Sequence, residues 1–178
     1  MKTVVVGLGN PILTDDGVGP AVARLLRSLP AAAEIHVTEA YAGGLRLMEA
    51  MAGFDRAVIV DAMQTGGRPG TVRRINPEEL SGTRNLLCTH DADLPTALAL
   101  ARSLGLAVPD LVEVVGIEAE EVEAFGEELT EKVRAALPLA VQTVLELVIP
   151  FSQAGTQGCD GPGMPAEASA KVGEGSKR

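Results

Sequence analysis

The chain has 178 residues, enough for one domain with a core of ordinary size. Hydrophobic residues make up 46% and charged residues 22%, the balance of a globular protein. With 15 Lys and Arg against 24 Asp and Glu, the formal charge of −9 disfavours nucleic acid and anionic membrane surfaces, which both call for basic faces.

In chain order the pattern alternates between strands and helices. Thr3 to Leu8 (TVVVGL) is a short β-branched run and predicts a buried strand. Gly17 to Leu29 spaces Val18, Val22, Leu25, Leu26 and Leu29 as a helix, with Pro30 as a stop. Glu34 to Glu39 is a second strand and Gly44 to Met51 a second helix. Arg56 to Val60 is an apolar third strand that ends at Asp61, and Gly70 to Ile75 alternates like an edge strand. Pro95 to Leu104 is a helix capped from Asp91 or Asp93 and closed by Gly105. Leu111 to Val115 is a further strand. Leu129 to Val148 is a long helix that Pro138 should bend. This alternation predicts an α/β fold of three layers, a twisted, mostly parallel sheet between helices, in a single domain.

The composition shifts at Pro150. Residues 151–178 hold six Gly and two Pro with no apolar periodicity, and their charges cancel, so all of the −9 lies on the preceding part. Residues 1–149 are expected to form the domain and 150–178 a disordered tail, which lacks the apolar surface to offset its ordering entropy. Two cysteines, Cys88 and Cys159, exclude a disulfide scaffold and a zinc site of several thiolates. With no run long enough to span a bilayer and no leader-like start, a cytoplasmic protein is expected. Three Phe, one Tyr and no Trp leave few platforms for stacking bases.

In a parallel sheet the carboxyl ends of the strands share one edge, and sites form there. Polar residues that directly follow strands are therefore candidate neighbours. The first loop, Gly7 to Gly17 (GLGNPILTDDG), lacks both the complete dinucleotide fingerprint and the phosphate-loop lysine, and Asp15 and Asp16 would repel a phosphate. It suits a cation better than an anion. Asp15 reads first as a cap of the following helix, whereas Asp16 is open between cap and ligand. Asp61 follows the third strand. His90 stands in a polar loop, Cys88 to Asp93, where Asp91 and Asp93 read as caps and Cys88 as a small buried hydrophobe. The other histidine, His36, reads as an ordinary strand residue. Two carboxylates and one imidazole behind successive strands form an O,O,N set suited to a divalent metal of borderline hardness. Gly43 and Gly44 bring bare backbone to the same edge, for unusual torsions or the close approach of a peptide. The acidic run Glu118 to Glu131 reads as a solvated face and helix start, with steering of a charged partner as a second role.

The opening VVVGLGNPILTDDGVGP, the VDAM turn at Asp61, the Gly43-Gly44 pair and the His90 loop together resemble the NiFe-hydrogenase maturation endopeptidases, over about residues 2 to 148. The resemblance implies an aspartic-type endopeptidase that removes a C-terminal extension from the precursor of a hydrogenase large subunit after nickel insertion. It implies metal ligands at Asp16, Asp61 and His90, and a nickel ion carried in by the precursor. Asp16 stands where the family often has Glu. Either Asp16 or Asp61 could act as general base toward water. The precursor would be a transient partner, the enzyme a monomer, and no nucleotide is needed. Competing readings are a peptidyl-tRNA hydrolase, which also opens on a VGLGNPG-like loop, and a nickel-dependent chaperone that binds the precursor without cutting it. A small nucleotide-binding domain is disfavoured by the incomplete glycine pattern.

Overall fold

The computed structural model describes residues 1–77 and 94–149. The expected tail, and the loop with Cys88, His90, Asp91 and Asp93, lie outside these residues, as does Cys159. The described chain forms five strands, β1 (Thr3–Leu8), β2 (His36–Ala40), β3 (Arg56–Met63), β4 (Val72–Ile75) and β5 (Leu111–Glu118). Its four α-helices are α1 (Val18–Arg27), α2 (Gly44–Met51), α3 (Leu94–Ser103) and α4 (Glu131–Val148). The strands order as β2-β1-β3-β5-β4 in one sheet. All pairs are parallel except β4 against β5, so the sheet is mostly parallel, as expected.

The central strands are apolar on both sides because helices cover both faces. Val4, Val6, Leu8, Ala57 and Ile59 face α2 and α3, where they pack with Leu47, Met48, Met51 and Leu98. Val5, Val58, Val60, Val115 and Ile117 face α1 and α4, against Val18, Val22, Leu26, Val133 and Val144. Each fully buried aliphatic side chain contributes about 1.5–3 kcal/mol, so this aliphatic core holds without aromatic help. β4 is the exception that explains itself. It is four residues long, carries exposed Arg73 and Arg74, and lies at the sheet's edge, where short, charged strands resist pairing with another chain.

Several boundaries differ from the sequence pattern. β3 runs on through Asp61 to Met63, and β5 runs to Glu118, because the two strands stay in register over eight residues, with Asp61 beside Gly116 and Met63 beside Glu118. Asp61 is thus a strand residue rather than the start of a turn. A 3-10 turn, Thr14–Gly17, precedes α1. α4 starts at Glu131 and passes Pro138 as one element, with the proline on its exposed side. α3 ends at Ser103 and is closed by Gly105, whose φ of 74° is the left-handed conformation expected there.

α1 lies unusually close to the sheet. A β-carbon on Gly19 would overlap the backbone carbonyl oxygens of Leu8 and Val60, and one on Gly7 would overlap that of Gly19. Backbone carbonyls cannot swing away as a side chain can. Gly19→Ala is therefore expected to destabilise the protein by about 1–3 kcal/mol, read as a lower urea midpoint with an unchanged slope.

Candidate functional site

Leu8 and Asp61 end up at the same level of the sheet: β1 and β3 pair in register through Gly7 and Val60. The loop after β1 and the last residues of β3 therefore meet at the carboxyl edge, and the 3-10 turn carrying Asp15 and Asp16 packs against β3. Asp61 has the parity of Ala57 and Ile59, which directs it to the face covered by α2 and α3. It is 5% exposed. Its neighbour in register, Gly116, has no side chain, and the place a β-carbon would take there is filled by the side chains of Ile75 and Met63.

Asp15 and Asp16 are adjacent in sequence and differ in role. Asp15 is fully buried. It makes no cap hydrogen bond to the 3-10 turn or to α1, contrary to the sequence reading. Instead its carboxylate accepts from the Glu120 and Glu121 amides (2.9 and 3.1 Å), the Thr130 amide (2.7 Å) and the Thr130 hydroxyl (2.9 Å). It thereby ties the loop between β5 and α4 to the loop after β1. Four donors, none of them a basic side chain, are enough to hold a buried carboxylate.

Asp16 is half-buried. The Asn10 amide donates to its Oδ2 at 2.6 Å and closes the first loop into a ring. The Leu13 amide bonds the Asn10 carbonyl (3.1 Å), and the Asp16 amide bonds the Leu13 carbonyl (2.9 Å). Gly9 makes the ring possible: its φ is 130°, and a β-carbon there would collide with the Asp16 carbonyl. Among the described residues Oδ1 of Asp16 has no hydrogen-bond partner, so it is available to a ligand. Burial pushes the Asp16 carboxyl above the usual carboxylate range, opposed by the Asn10 hydrogen bond.

On the other side of β1, the Gly9 amide bonds the Ala40 carbonyl (3.1 Å), which draws the end of β2 to the same edge. Gly43 is the buried N-cap of α2, and Gly44 takes a positive φ of 56°. Of the two uses foreseen for this pair, the unusual torsion is realised at Gly44. Nearby, Glu39 is pinned by Arg24 and Arg27 and accepts from the Tyr41 hydroxyl at 3.2 Å. Burial pushes its carboxyl up, but the hydrogen bonds and charges of the two arginines outweigh this and hold it below the usual range. His36 is exposed and lies against Phe54, ring centres 5.0 Å apart, as an ordinary strand residue.

Glu118 was expected to open a solvated acidic face. It is 1% exposed and holds the loop between β3 and β4, accepting from the Thr65 amide and hydroxyl (both 2.8 Å) and the Gly67 amide (2.9 Å). The rest of the run, up to Thr130, is a loop with most of its residues exposed or half-exposed. Glu118 and the Asp15 donors are the site's scaffold. Spacing alone gives no sign of them, because their partners lie far away in the chain.

Of the expected ligand set, the structure thus brings Asp16 and Asp61 to one edge, and His90 lies outside the described residues. Among the described residues no three His, Cys, Asp or Glu are grouped to hold a metal, so a complete set needs a donor beyond them. Among the described residues, too, no helix is long and apolar enough to cross a membrane.

Asp15→Ala should cost at least about 3 kcal/mol, since it leaves several buried donors unmet. Hydrogen exchange should quicken at the Glu120, Glu121 and Thr130 amides. Asp16→Asn should behave oppositely. The folded state binds the Asp16 proton more tightly than the unfolded chain does, so the charged carboxylate costs stability at neutral pH. That cost is relieved as pH falls through the raised folded value. The Asn variant should be at least as stable as wild type at neutral pH, with the difference closing in acid, as read from thermal melts.

The chain as a whole is similar to known proteins. A family model described as hydrogenase maturation protease matches residues 20–147. The hydrogenase 2 maturation protease of Escherichia coli K12 is 30% identical over 151 residues, covering 82% of this chain and 89% of that protein. The hydrogenase expression/formation protein HupD of Rhizobium leguminosarum bv. viciae is 24% identical over 92% of this chain and 82% of its own length. The solved structure of the hydrogenase maturating endopeptidase HybD from E. coli superposes with a TM-score of 0.67 at 28% identity, over 81% of this chain and 90% of that one. With the family model spanning most of the domain and the sheet and helices shared with a solved endopeptidase, the chain belongs to the hydrogenase maturation protease family and is a hydrolase of the peptidase class.

Proposed function

We propose that the protein cuts a C-terminal extension from the precursor of a NiFe-hydrogenase large subunit once nickel has been inserted, and that Asp16, Asp61 and His90 recognise the nickel. The observation that carries this reading is the Asp16 carboxylate. One of its oxygens is fixed by the Asn10 amide, and the other has no protein partner among the described residues. A carboxylate oriented on one side and open on the other is a ligand in waiting, and it stands on the edge that Asp61 shares. His90 precedes α3, the helix that covers the face toward which Asp61 is directed, which favours its joining them.

On this reading the nickel ion is part of the substrate, held by the precursor. Two carboxylates and an imidazole suit its borderline character. A precursor without the ion presents nothing for the three groups to hold, so it docks weakly and is spared. Burial raises the proton affinity of Asp16, which suits it to accept a proton from water at the scissile carbonyl. Gly43 and Gly44 would let the extended peptide pass close to the end of β2. The family membership sets aside the peptidyl-tRNA hydrolase reading.

The test uses the cognate precursor, loaded with nickel or empty, mixed with wild type, His90→Ala or Asp16→Asn, and read by mass. Wild type should shorten only the loaded precursor, and both variants should lose activity by about 100-fold or more. Cutting of both precursor forms would keep the peptidase and discard nickel recognition. Binding of the loaded form without a change in mass would replace cleavage with chaperoning.

A further inference from the structure

Phe125, one of three phenylalanines in the chain, is 85% exposed. It does not hang on a loose loop. On its N-terminal side the Ala124 carbonyl accepts from the Thr14 hydroxyl (2.8 Å), and the Glu123 and Ala124 amides bond Glu121 Oε1 (2.8 and 3.0 Å). On its C-terminal side the Gly126 amide bonds the Ile12 carbonyl (3.0 Å), and the Gly126 carbonyl accepts from the Thr14 amide (2.8 Å). Behind all of these stands Asp15, gripping the loop at Glu120, Glu121 and Thr130. The fold thus fixes the backbone on both sides of a phenyl group it leaves in water. The backbone that carries this side chain is therefore ordered before anything binds, and binding need not order it.

The phenyl group has a neighbour. Leu13 and Gly126 form a parallel bridge, which sets Ile12 beside Phe125 in register. Ile12 is 48% exposed. The segment that carries Phe125 is acidic: residues 120–128 hold five glutamates and no basic residue. Glu120 is paired with Lys132 and Glu128 with Arg134, while Glu123 and Glu127, on either side of the phenyl group, have no ion pair among the described residues. The patch is continuous with the proposed site, since Ile12 and Asp16 belong to the same closed ring.

We propose that Phe125 and Ile12, flanked by Glu123 and Glu127, are the docking surface for a segment of the protein substrate that carries an apolar side chain between basic ones. The apolar group would cover Phe125 and Ile12, and the flanking cations would meet the two glutamates. A second copy of this chain is a poor occupant, because a two-fold contact would set this acidic rim against itself. The inference rests on the proposed precursor as substrate, and the test separates the two.

Three proteins would be compared: wild type, Phe125→Ser and the double charge reversal Glu123→Lys/Glu127→Lys. All changes are at exposed positions, so unchanged melting temperatures are expected. Binding to the nickel-loaded precursor would be measured calorimetrically at low and high salt, and cleavage kinetics in parallel. Phe125→Ser should weaken binding and raise KM roughly tenfold or more with kcat unchanged. The charge reversal should weaken binding at low salt, with the loss shrinking as salt rises. Binding and KM within twofold of wild type for both variants would overturn the proposal. Tight, Phe125-dependent binding of a precursor that is never cut would keep the surface and discard the cleavage reading. No binding of wild type to the precursor would overturn the proposal through its partner. A wild-type dimer that Phe125→Ser dissociates in sedimentation would overturn it in favour of a second copy.

Discussion

A carboxylate removed from water must be met by donors, and Asp15 is met by four from segments more than 100 residues further along the chain. The rest of the edge depends on this one arrangement. It fixes where the β5–α4 loop lies and where α4 begins, and it holds the 3-10 turn that carries Asp16. The charge on Asp15 is consumed by the fold, and the charge on Asp16, one residue later, is left half-used. Neighbouring residues of one type are thereby split into a fastener and a candidate reagent by nothing more than their hydrogen-bond partners.

The sheet does the remaining work of assembly. Parallel strands bring the ends of β1, β2, β3 and β5 to one edge, and the register of β1 against β3 sets Asp61 level with the first loop. Two close approaches make the geometry tight. α1 rests its Gly19 on the backbone of β1 and β3, and Gly9 lets the Asp16 ring close. Both are places where a larger residue would push the candidate ligands apart, so packing and chemistry are set by the same glycines. Glu118 repeats the logic of Asp15 on the neighbouring loop, as a second buried acid whose lone pairs are filled by amides and a hydroxyl.

The elements were legible from sequence because aliphatic periodicity and stop residues are local signals. TVVVGL, GLRLMEAM and the helix closed by Gly105 need no distant information. The strand ends were less so. RAVIV gives no hint that Asp61 and Met63 remain in the sheet, since that depends on eight-residue pairing with β5. Likewise the acidic run from Glu118 looks like uniform surface, although its first member is buried and its next two offer their amides to Asp15. Asp16 and Asp61 were legible as candidates because polar residues behind parallel strands converge by topology. Asp15 was misread as a helix cap because caps are local and its actual partners are not.

The chain has no tryptophan, and its single tyrosine, Tyr41, is 61% exposed at the end of β2, two residues before the glycine pair. Its hydroxyl leans on Glu39, which the two arginines hold in place. With excitation beyond the phenylalanine band, natural ultraviolet emission therefore comes from one phenol at the rim of the candidate site. That phenol is close to solvent before unfolding as well as after it, so its fluorescence is a poor gauge of denaturation. It is instead a built-in optical reporter of anything that settles along that rim, and it needs no label.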